Sequence, residues 1–446
     1  MEVKSKEKIM KKKETIIVVG GGFAGVEFIK TLDEKLFDII LIDKINYHQF
    51  QPLFYQVATS QLEPSSISFP LRYIFKNKAN VKIRLATVLS IDKEKNSINT
   101  SIGEFPYDYL VIAIGCTTNF FGNESIKQNA LTLKSTLDAI NLRNHILQRF
   151  ENITSANEEV NQSLYNFVIV GAGPTGVELA GAFAEIKKDV LPKDYRGIDF
   201  SRLNILLIEG TKHTLNVMSD SAQIASRKYL EQMGVKILTE TFVNNYDGDI
   251  LTLSTGENIM TKTVIWAAGV TGNKLEGLNP EIITASNRLK VNRLNKVSES
   301  ENIFAIGDIA YMETPNYPQA HPQVANVAIN QAKLLAKNLK SIQQNKVTKE
   351  FEYKDLGSMA TIGRNKAVVD LPFIKFKGYF AWLVWIFVHL MLILSVKNKI
   401  IIFINWAWAY FTKDTSLGLI LSNQNNGLEE DKVEIESKIK KIDVDA

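Results

Sequence analysis

Ile16-Ile17-Val18-Val19-Gly20-Gly21-Gly22-Phe23-Ala24-Gly25-Val26-Glu27, followed by Ile39-Ile40-Leu41-Ile42-Asp43, is a β-branched apolar run that feeds a G-x-G-x-x-G turn, a helical pattern and a second apolar strand ending in an acid. That order is the sequence form of a dinucleotide-binding βαβ unit. Gly20 permits the tight turn, Gly22 lets the backbone approach a pyrophosphate, and Gly25 lets helix and strand pack closely. The helix N-terminus adds free N–H groups and a partial positive charge. Asp43, roughly 20 residues beyond the turn, is placed to accept hydrogen bonds from a ribose hydroxyl. The glycine pattern alone would also suit an ordinary Gly-rich turn; the two strands and the acid make it specific.

The pattern returns at Phe167-Val168-Ile169-Val170-Gly171-Ala172-Gly173-Pro174-Thr175-Gly176-Val177-Glu178, and both copies read G-x-G-x-x-G-V-E. The second partner strand, Asn204-Ile205-Leu206-Leu207-Ile208-Glu209, is delayed by an insertion at 190–200. Glu209 would repel a 2′-phosphate, which favours NADH over NADPH, with Lys212 close by to soften that preference. Two further apolar strands end where a backbone meets a ligand, at Gly115 and at Gly269, and a third, 302–308, ends in Gly307-Asp308. Asp308 needs a partner there, a ligand hydroxyl or the following turn. Beyond Pro322, residues 323–340 have the spacing of a long helix, and a helix N-terminus aimed at a ring carbonyl stabilises negative charge.

The composition is that of an ordinary globular chain, and a net charge of +4 over 446 residues gives no case for nucleic-acid binding. The single cysteine, Cys116, excludes a disulfide framework, a CxxC redox pair or a Cys-rich metal site within one chain. With five His and no clustered ligands, no metal is expected. The Lys-rich N-terminal segment lacks an apolar core and any Arg, so it reads as a solvated tail and keeps the catalytic body in the cytoplasm.

Four of the five Trp (Trp382, Trp385, Trp406, Trp408) fall in two apolar runs, 378–395 and 400–411, separated by Lys397 and Lys399. The second run is too short to recross ~30 Å of hydrocarbon. A single span would carry basic residues on both flanks and so no orientation bias. A hairpin lying in one leaflet, with the four Trp at headgroup depth, fits best, ahead of a buried helix or dimer interface. His389 within the first run reads as a hydrogen-bonded packing residue. Residues 350–371 alternate like antiparallel strands, and 423–446 is a polar tail.

Taken together, the two fingerprints with Asp43 and Glu209, the glycine-ended strands and Gly307-Asp308 resemble the two-dinucleotide flavoproteins of the glutathione reductase type, over residues 14–340. Within that group the chain resembles the type II NADH dehydrogenases, the non-pumping NADH:quinone oxidoreductases, through Tyr47-His48, Gln56-Val57-Ala58-Thr59, Gly176-Val177-Glu178, 266–270, the helix near Gln323 and the Trp-rich end. The resemblance implies an α/β protein with two Rossmann-type domains and a C-terminal membrane-associated region. A discontinuous FAD-binding domain would take 14–125 and 286–341, and an NADH-binding domain 160–285. C-terminal strands and an anchoring hairpin would take 346–421, and the tail 422–446. FAD would lie on Gly20, Gly22, Phe23, Ala24, Gly25, Asp43, Lys44, Gly115, Asp308, Gln323 and Val324; NADH would lie on Gly171, Gly173, Thr175, Gly176, Glu209 and Gly269. Glu178 and Gln331 are the expected catalytic residues, although a Glu in a first turn is also what a helix dipole favours, and Glu27 holds the matching place.

The quinone-side helix departs from the family's A-Q-x-A-x-Q-Q-G: here it reads Ala325-Asn326-Val327-Ala328-Ile329-Asn330-Gln331-Ala332. Asn326 and Asn330 keep the amide on a shorter stem, so a quinone side formed by Asn326, Asn330 and Gln331 would have altered reach. The expected partners are a membrane quinone and the bilayer surface at the cytoplasmic face of the inner membrane; a homodimer is left open. One cysteine is too few for disulfide reductase or sulfide:quinone chemistry. Competing readings are an NADH-dependent reductase of a small electron-transfer protein and a membrane-bound nucleotide sensor without turnover.

Overall fold

The computed structural model describes residues 13–155, 161–414 and 418–421. The sequence readings for the N-terminal tail up to residue 12 and for the polar tail from 422 lie outside the described residues. Five helices position the site: α1 (Phe23–Thr31), α2 (Pro174–Asp189), α3 (Ala325–Gln343), α4 (Tyr379–Leu392) and α5 (Val396–Thr412).

The β-branched run Glu14–Val19 pairs in parallel with Phe37–Asp43, with Ile16 opposite Ile39 and Val19 opposite Ile42. Tyr109–Ile112 pairs on its other side, and Ile303–Ala305 extends the sheet beyond that, so a strand from late in the chain joins the first unit. Side chains alternate across a strand. Ile16 and Val18 pack with Phe28 of α1 and Leu335 of α3, whereas Ile17 and Val19 pack with Leu110 and Ile112 on the opposite face. Both faces are covered, as the unbroken apolar strands require. The second unit repeats the plan: Asn166–Val170 is flanked in parallel by Asn204–Ile208 and Thr263–Trp266.

Several local expectations shift by a few residues for identifiable reasons. Residues 81–92 divide between two sheets: Val81–Leu85 stays in the parallel sheet, while Val88–Asp92 joins an antiparallel meander. The long helix begins at Ala325 because Val324 is extended (φ −131°, ψ 152°). Of the expected antiparallel stretch at 350–371, only Ser358–Thr361 and Ala367–Asp370 pair, and Lys375–Lys377 completes that sheet.

Helices α4 and α5 form a hairpin that is fused to the second unit. Ala381, Trp385, Ile393 and Ile402 are buried in the same core as Phe167, Ile169 and Val177. On the outer side Phe387 is 63% exposed and Phe411 82%. No described helix is long and apolar enough to cross a membrane. The four Trp do not act together at headgroup depth. Trp385 is buried, Trp406 donates its indole N–H inward to Gln56 Oε1 at 2.7 Å, Trp382 stacks on Tyr410, and only Trp408 is well exposed. The Trp406 indole N–H finds on the protein body an acceptor that lipid tails lack, and the outer face mixes phenylalanines such as Phe380 and Phe387 with aliphatic residues such as Ile400 and Ile404.

Candidate active site

The two fingerprints are superposable in their hydrogen bonds as well as their letters. Gly20 N donates to Ile42 O at 2.9 Å, and Gly171 N donates to Ile208 O at 2.8 Å, which closes each turn over its neighbouring strand. Asp43 Oδ2 accepts from Gly21 N at 2.5 Å and Oδ1 from Ile45 N at 2.9 Å; Glu209 Oε2 accepts from Ala172 N at 2.6 Å and Oε1 from Thr211 N at 2.8 Å. Each carboxylate is thereby locked in place with lone pairs still open toward the cradle. Burial raises the Asp43 carboxyl above the ordinary carboxylate range, against the opposing pull of those backbone donors.

The glycines separate what the fold needs from what a ligand needs. Gly20 and Gly171 have φ of +105° and +104°, a region that favours glycine. A Cβ on Gly25 or Gly176 would lie 1.9 Å from the carbonyl oxygen of Gly20 or Gly171, so these are fixed by packing. Gly22 (φ −74°) and Gly173 (φ −70°) have backbone angles open to any residue, and a Cβ there would meet no protein atom within 4 Å. Neither strain nor packing accounts for the middle glycines. A ligand backbone lying against them does, and the chain therefore fits a dinucleotide at each unit.

Around the first cradle, Phe23 sets its ring edge-on to His48, 5.0 Å away, and His48 Nδ1 binds Gly21 O, with burial pushing this imidazole down to about 4. Ala24 is buried against Gly307, and Lys44 is exposed beside Asp43. Gly115 (φ +67°) follows the Tyr109–Ile112 strand in the connection to Cys116, with open space where a Cβ would stand. Asp308 accepts a hydrogen bond from the Cys116 thiol at 2.9 Å, and its backbone oxygen accepts from Gln323 Nε2 at 3.1 Å. Burial, reinforced by the Asp308 charge, pushes that thiol up to about 12, so Cys116 stays a protonated donor. Val324 caps α3 without a side-chain hydrogen bond, which leaves the first-turn N–H groups for another partner.

Two cavities lie on the other side. The smaller, about 120 Å³, is lined by Thr175, Glu178, Trp266 and Gly269 of the second unit together with Pro52, Tyr55 and Lys134. The larger, about 320 Å³, lies under the α4–α5 hairpin and is mainly apolar, with walls that include Ala182, Glu185, Trp385, Phe403 and Trp406. Tyr55 and Glu178 belong to the walls of both. Glu178 is buried, 8% exposed; Thr361 N donates to its Oε1 at 3.3 Å, and burial pushes the carboxyl up to about 8. Gln56 Nε2 donates to the Tyr55 hydroxyl at 2.8 Å while Gln56 Oε1 accepts from Trp406, so the hairpin is hydrogen-bonded to the wall between the cavities. A buried carboxyl that is neutral at pH 7, set between a nucleotide cradle and an apolar chamber, can hold and release a proton.

The remaining expected site residues lie elsewhere. Gln331 is buried and accepts from Gly307 N at 2.8 Å, which fixes the turn that carries Asp308. Asn326 and Asn330 are half-buried on α3, and none of these three residues is part of the larger cavity's walls. Tyr55 and Glu185 are site residues that the sequence did not single out, and Trp385, expected at the membrane, lines the larger cavity instead. For Glu185 the available signal was its spacing: seven residues after Glu178, it returns to the same helix face.

Residues 14–332 match the pyridine nucleotide-disulphide oxidoreductase family, and residues 356–413 match the NDH2 C-terminal domain. The chain is 31% identical over 421 residues to the type II NADH:quinone oxidoreductase Ndh of Mycobacterium tuberculosis, covering 90% of this chain and 89% of that protein. It is 29% identical over 374 residues to the type II NADH:quinone oxidoreductase of Staphylococcus aureus, covering 80% and 89%. The fold is similar to that of NDH2 from Plasmodium falciparum in complex with NADH, with a TM-score of 0.83 at 23% identity over 90% of this chain and 99% of that one.

Proposed function

The chain belongs to the type II NADH:quinone oxidoreductases, and from that membership we propose that it binds FAD on the first unit, oxidises NADH on the second, and reduces a membrane quinone without pumping protons. The carrying observation is the wall shared by the two cavities, where Glu178 faces both a nucleotide cradle and an apolar chamber open beneath the hairpin. FAD, when bound, supplies a two-electron store that lets NADH oxidation and quinone reduction occur in turn.

The protein's part is positioning and charge. The open faces of Gly22 and Gly173 receive the two pyrophosphates, Asp43 and Glu209 take the adenosine riboses, and Asp308 takes the ribityl chain. Gln331, by fixing Gly307, positions Asp308, and Gln323 and Val324 at the α3 N-terminus would face the bound flavin ring, where the helix end would stabilise negative charge. Thr175 and Gly269 line the nicotinamide pocket. Glu178 holds a proton at its carboxyl for the quinone oxygen, and Tyr55, fixed by Gln56 and Trp406, keeps the two chambers apart. The quinone side is thus the hairpin chamber, and Asn326 and Asn330, expected on that side, lie on α3 outside its walls. The enzyme sits on the cytoplasmic face of the inner membrane through the outer face of α4 and α5. Domain limits follow: 14–125 with 286–341 for FAD, 160–285 for NADH, 346–421 for the anchor.

Anaerobic addition of NADH is expected to bleach the flavin absorbance, and a quinone analogue to restore it. A colourless protein that takes up no flavin, or a yellow one indifferent to NADH, overturns the reading. Anchoring is checked separately. Replacing Phe380 and Phe387 together with Ser removes exposed aromatic surface without touching the walls of the hairpin chamber. At ~1.5–3 kcal/mol per buried aromatic side chain, membrane sedimentation should fall by at least roughly 10²-fold in partition, with NADH reduction of a soluble dye retained.

A further inference from the structure

Every quinol formed from NADH draws one proton from solvent. NADH yields two electrons and one proton as its C4–H bond breaks, while the two O–H bonds of the quinol take two electrons and two protons. Glu178 is buried, so the solvent proton needs a route to it.

Helix α2 carries three acids, Glu178, Glu185 and Asp189, and all three line the same hairpin chamber. At ~100° per residue on a helix of ~3.6 residues per turn, they fall within about 40° of arc, a single stripe running from the nucleotide end of α2 to its C-terminus. Glu185 is a carboxylate with no role in either cradle. Its Oε1 accepts a hydrogen bond from Arg364 N, and burial raises its carboxyl above the ordinary range. The charged groups facing it are Arg364 and Lys366 on the turn after Thr361 and Asp189 on its own helix, with the Tyr55 hydroxyl across the chamber. Asp189 stands at the mouth, its side chain 21% exposed and 4.0 Å from the Arg364 guanidinium. Asp189 and Glu185 are one helical turn apart, whereas Glu185 and Glu178 are separated by about 10 Å along the axis. The chamber, about 320 Å³, has room between them for water beside a bound ring.

We propose that Asp189 and Glu185 form a proton relay that runs along α2 to Glu178 and delivers the solvent proton consumed in each quinone reduction. This rests on the quinone occupying the hairpin chamber. Asp189 takes the proton from water, Glu185 passes it inward, and Glu178 gives it to the quinone oxygen and is then reprotonated from Glu185.

Glu185→Gln in the full chain keeps an acceptor for Arg364 N and removes the exchangeable proton. With decylubiquinone as acceptor, kcat should drop roughly 10²-fold, while the rate with ferricyanide, which takes electrons without protons, stays at the wild-type level. Glu185→Asp should recover most of the loss, added formate should recover part of it in Glu185→Gln, and Asp189→Asn should show a smaller loss. Equal decylubiquinone kcat in wild type and Glu185→Gln overturns the relay, as does a parallel loss with ferricyanide or the absence of recovery in Glu185→Asp. A wild-type enzyme that reduces ferricyanide and no quinone overturns the functional reading itself.

Discussion

Glu178→Gln is expected to lower quinone-dependent turnover by roughly 10²- to 10³-fold, the range of a lost general acid, while NADH still bleaches the flavin to the same final extent. The substitution is nearly isosteric and keeps an acceptor for Thr361 N, so the chamber wall should survive. The pH dependence gives a sharper reading. Burial raises this carboxyl from 4.5 to about 8, so the wild-type donor is loaded below that value and empties as pH rises through it. Quinone turnover should therefore fall above about pH 8, and the Gln variant should lack that limb. Stability moves with the same sign. Between 4.5 and about 8 the unfolded chain has released this proton and the folded chain has kept it, so the folded state loses stability as pH rises. The slope is at most ~1.4 kcal/mol per pH unit. Glu178→Gln removes this loss and should melt above wild type in alkaline buffer. A variant with wild-type quinone kcat and an unchanged pH profile would end the assignment of Glu178 as proton donor.

The glycines allow a second test with all-or-none outcomes. Gly22→Val and Gly173→Val place side chains in open space at unstrained backbone angles, so both should fold with normal circular dichroism. Gly22→Val should purify colourless, and Gly173→Val should purify yellow and stay yellow under anaerobic NADH. Gly25→Ala and Gly176→Ala add a single carbon, yet that carbon lies 1.9 Å from a backbone carbonyl oxygen that cannot swing away. Overpacking of this kind costs ~1–3 kcal/mol or more, so these smaller substitutions should be the ones that fail to accumulate as soluble protein. A Gly22→Val protein that binds flavin normally would remove the pyrophosphate from that cradle.

Reading the chamber from sequence alone was harder, for reasons visible in particular residues. Glu178 and Glu27 occupy matching places in two nearly identical fingerprints, and either suits a first helical turn. Only the tertiary packing that brings Tyr55, Thr361 and Trp385 around Glu178 buries one of them, while the other is part-exposed and paired with Lys333. Gln331 likewise read as a quinone-side amide because its helix motif placed it there; in the fold it holds Gly307.

What the sequence determined by itself is the set of features fixed by local spacing. Alternation of apolar residues set which strand faces are buried, the paired G-x-G-x-x-G turns with Asp43 and Glu209 set two fingerprint turns of one plan, and one cysteine left no cysteine pair within the chain. The tertiary structure decided which way the C-terminal helices face. In a run that is apolar on every side, periodicity carries no direction, so the turn of Trp385 and Trp406 inward was set by their partners, with Trp406 bonded to Gln56 across 350 residues. Both indoles wall the chamber beside Glu178, and burial there raises its proton affinity. Desolvation is a property of what surrounds a group in space, and residues distant in the chain supply it.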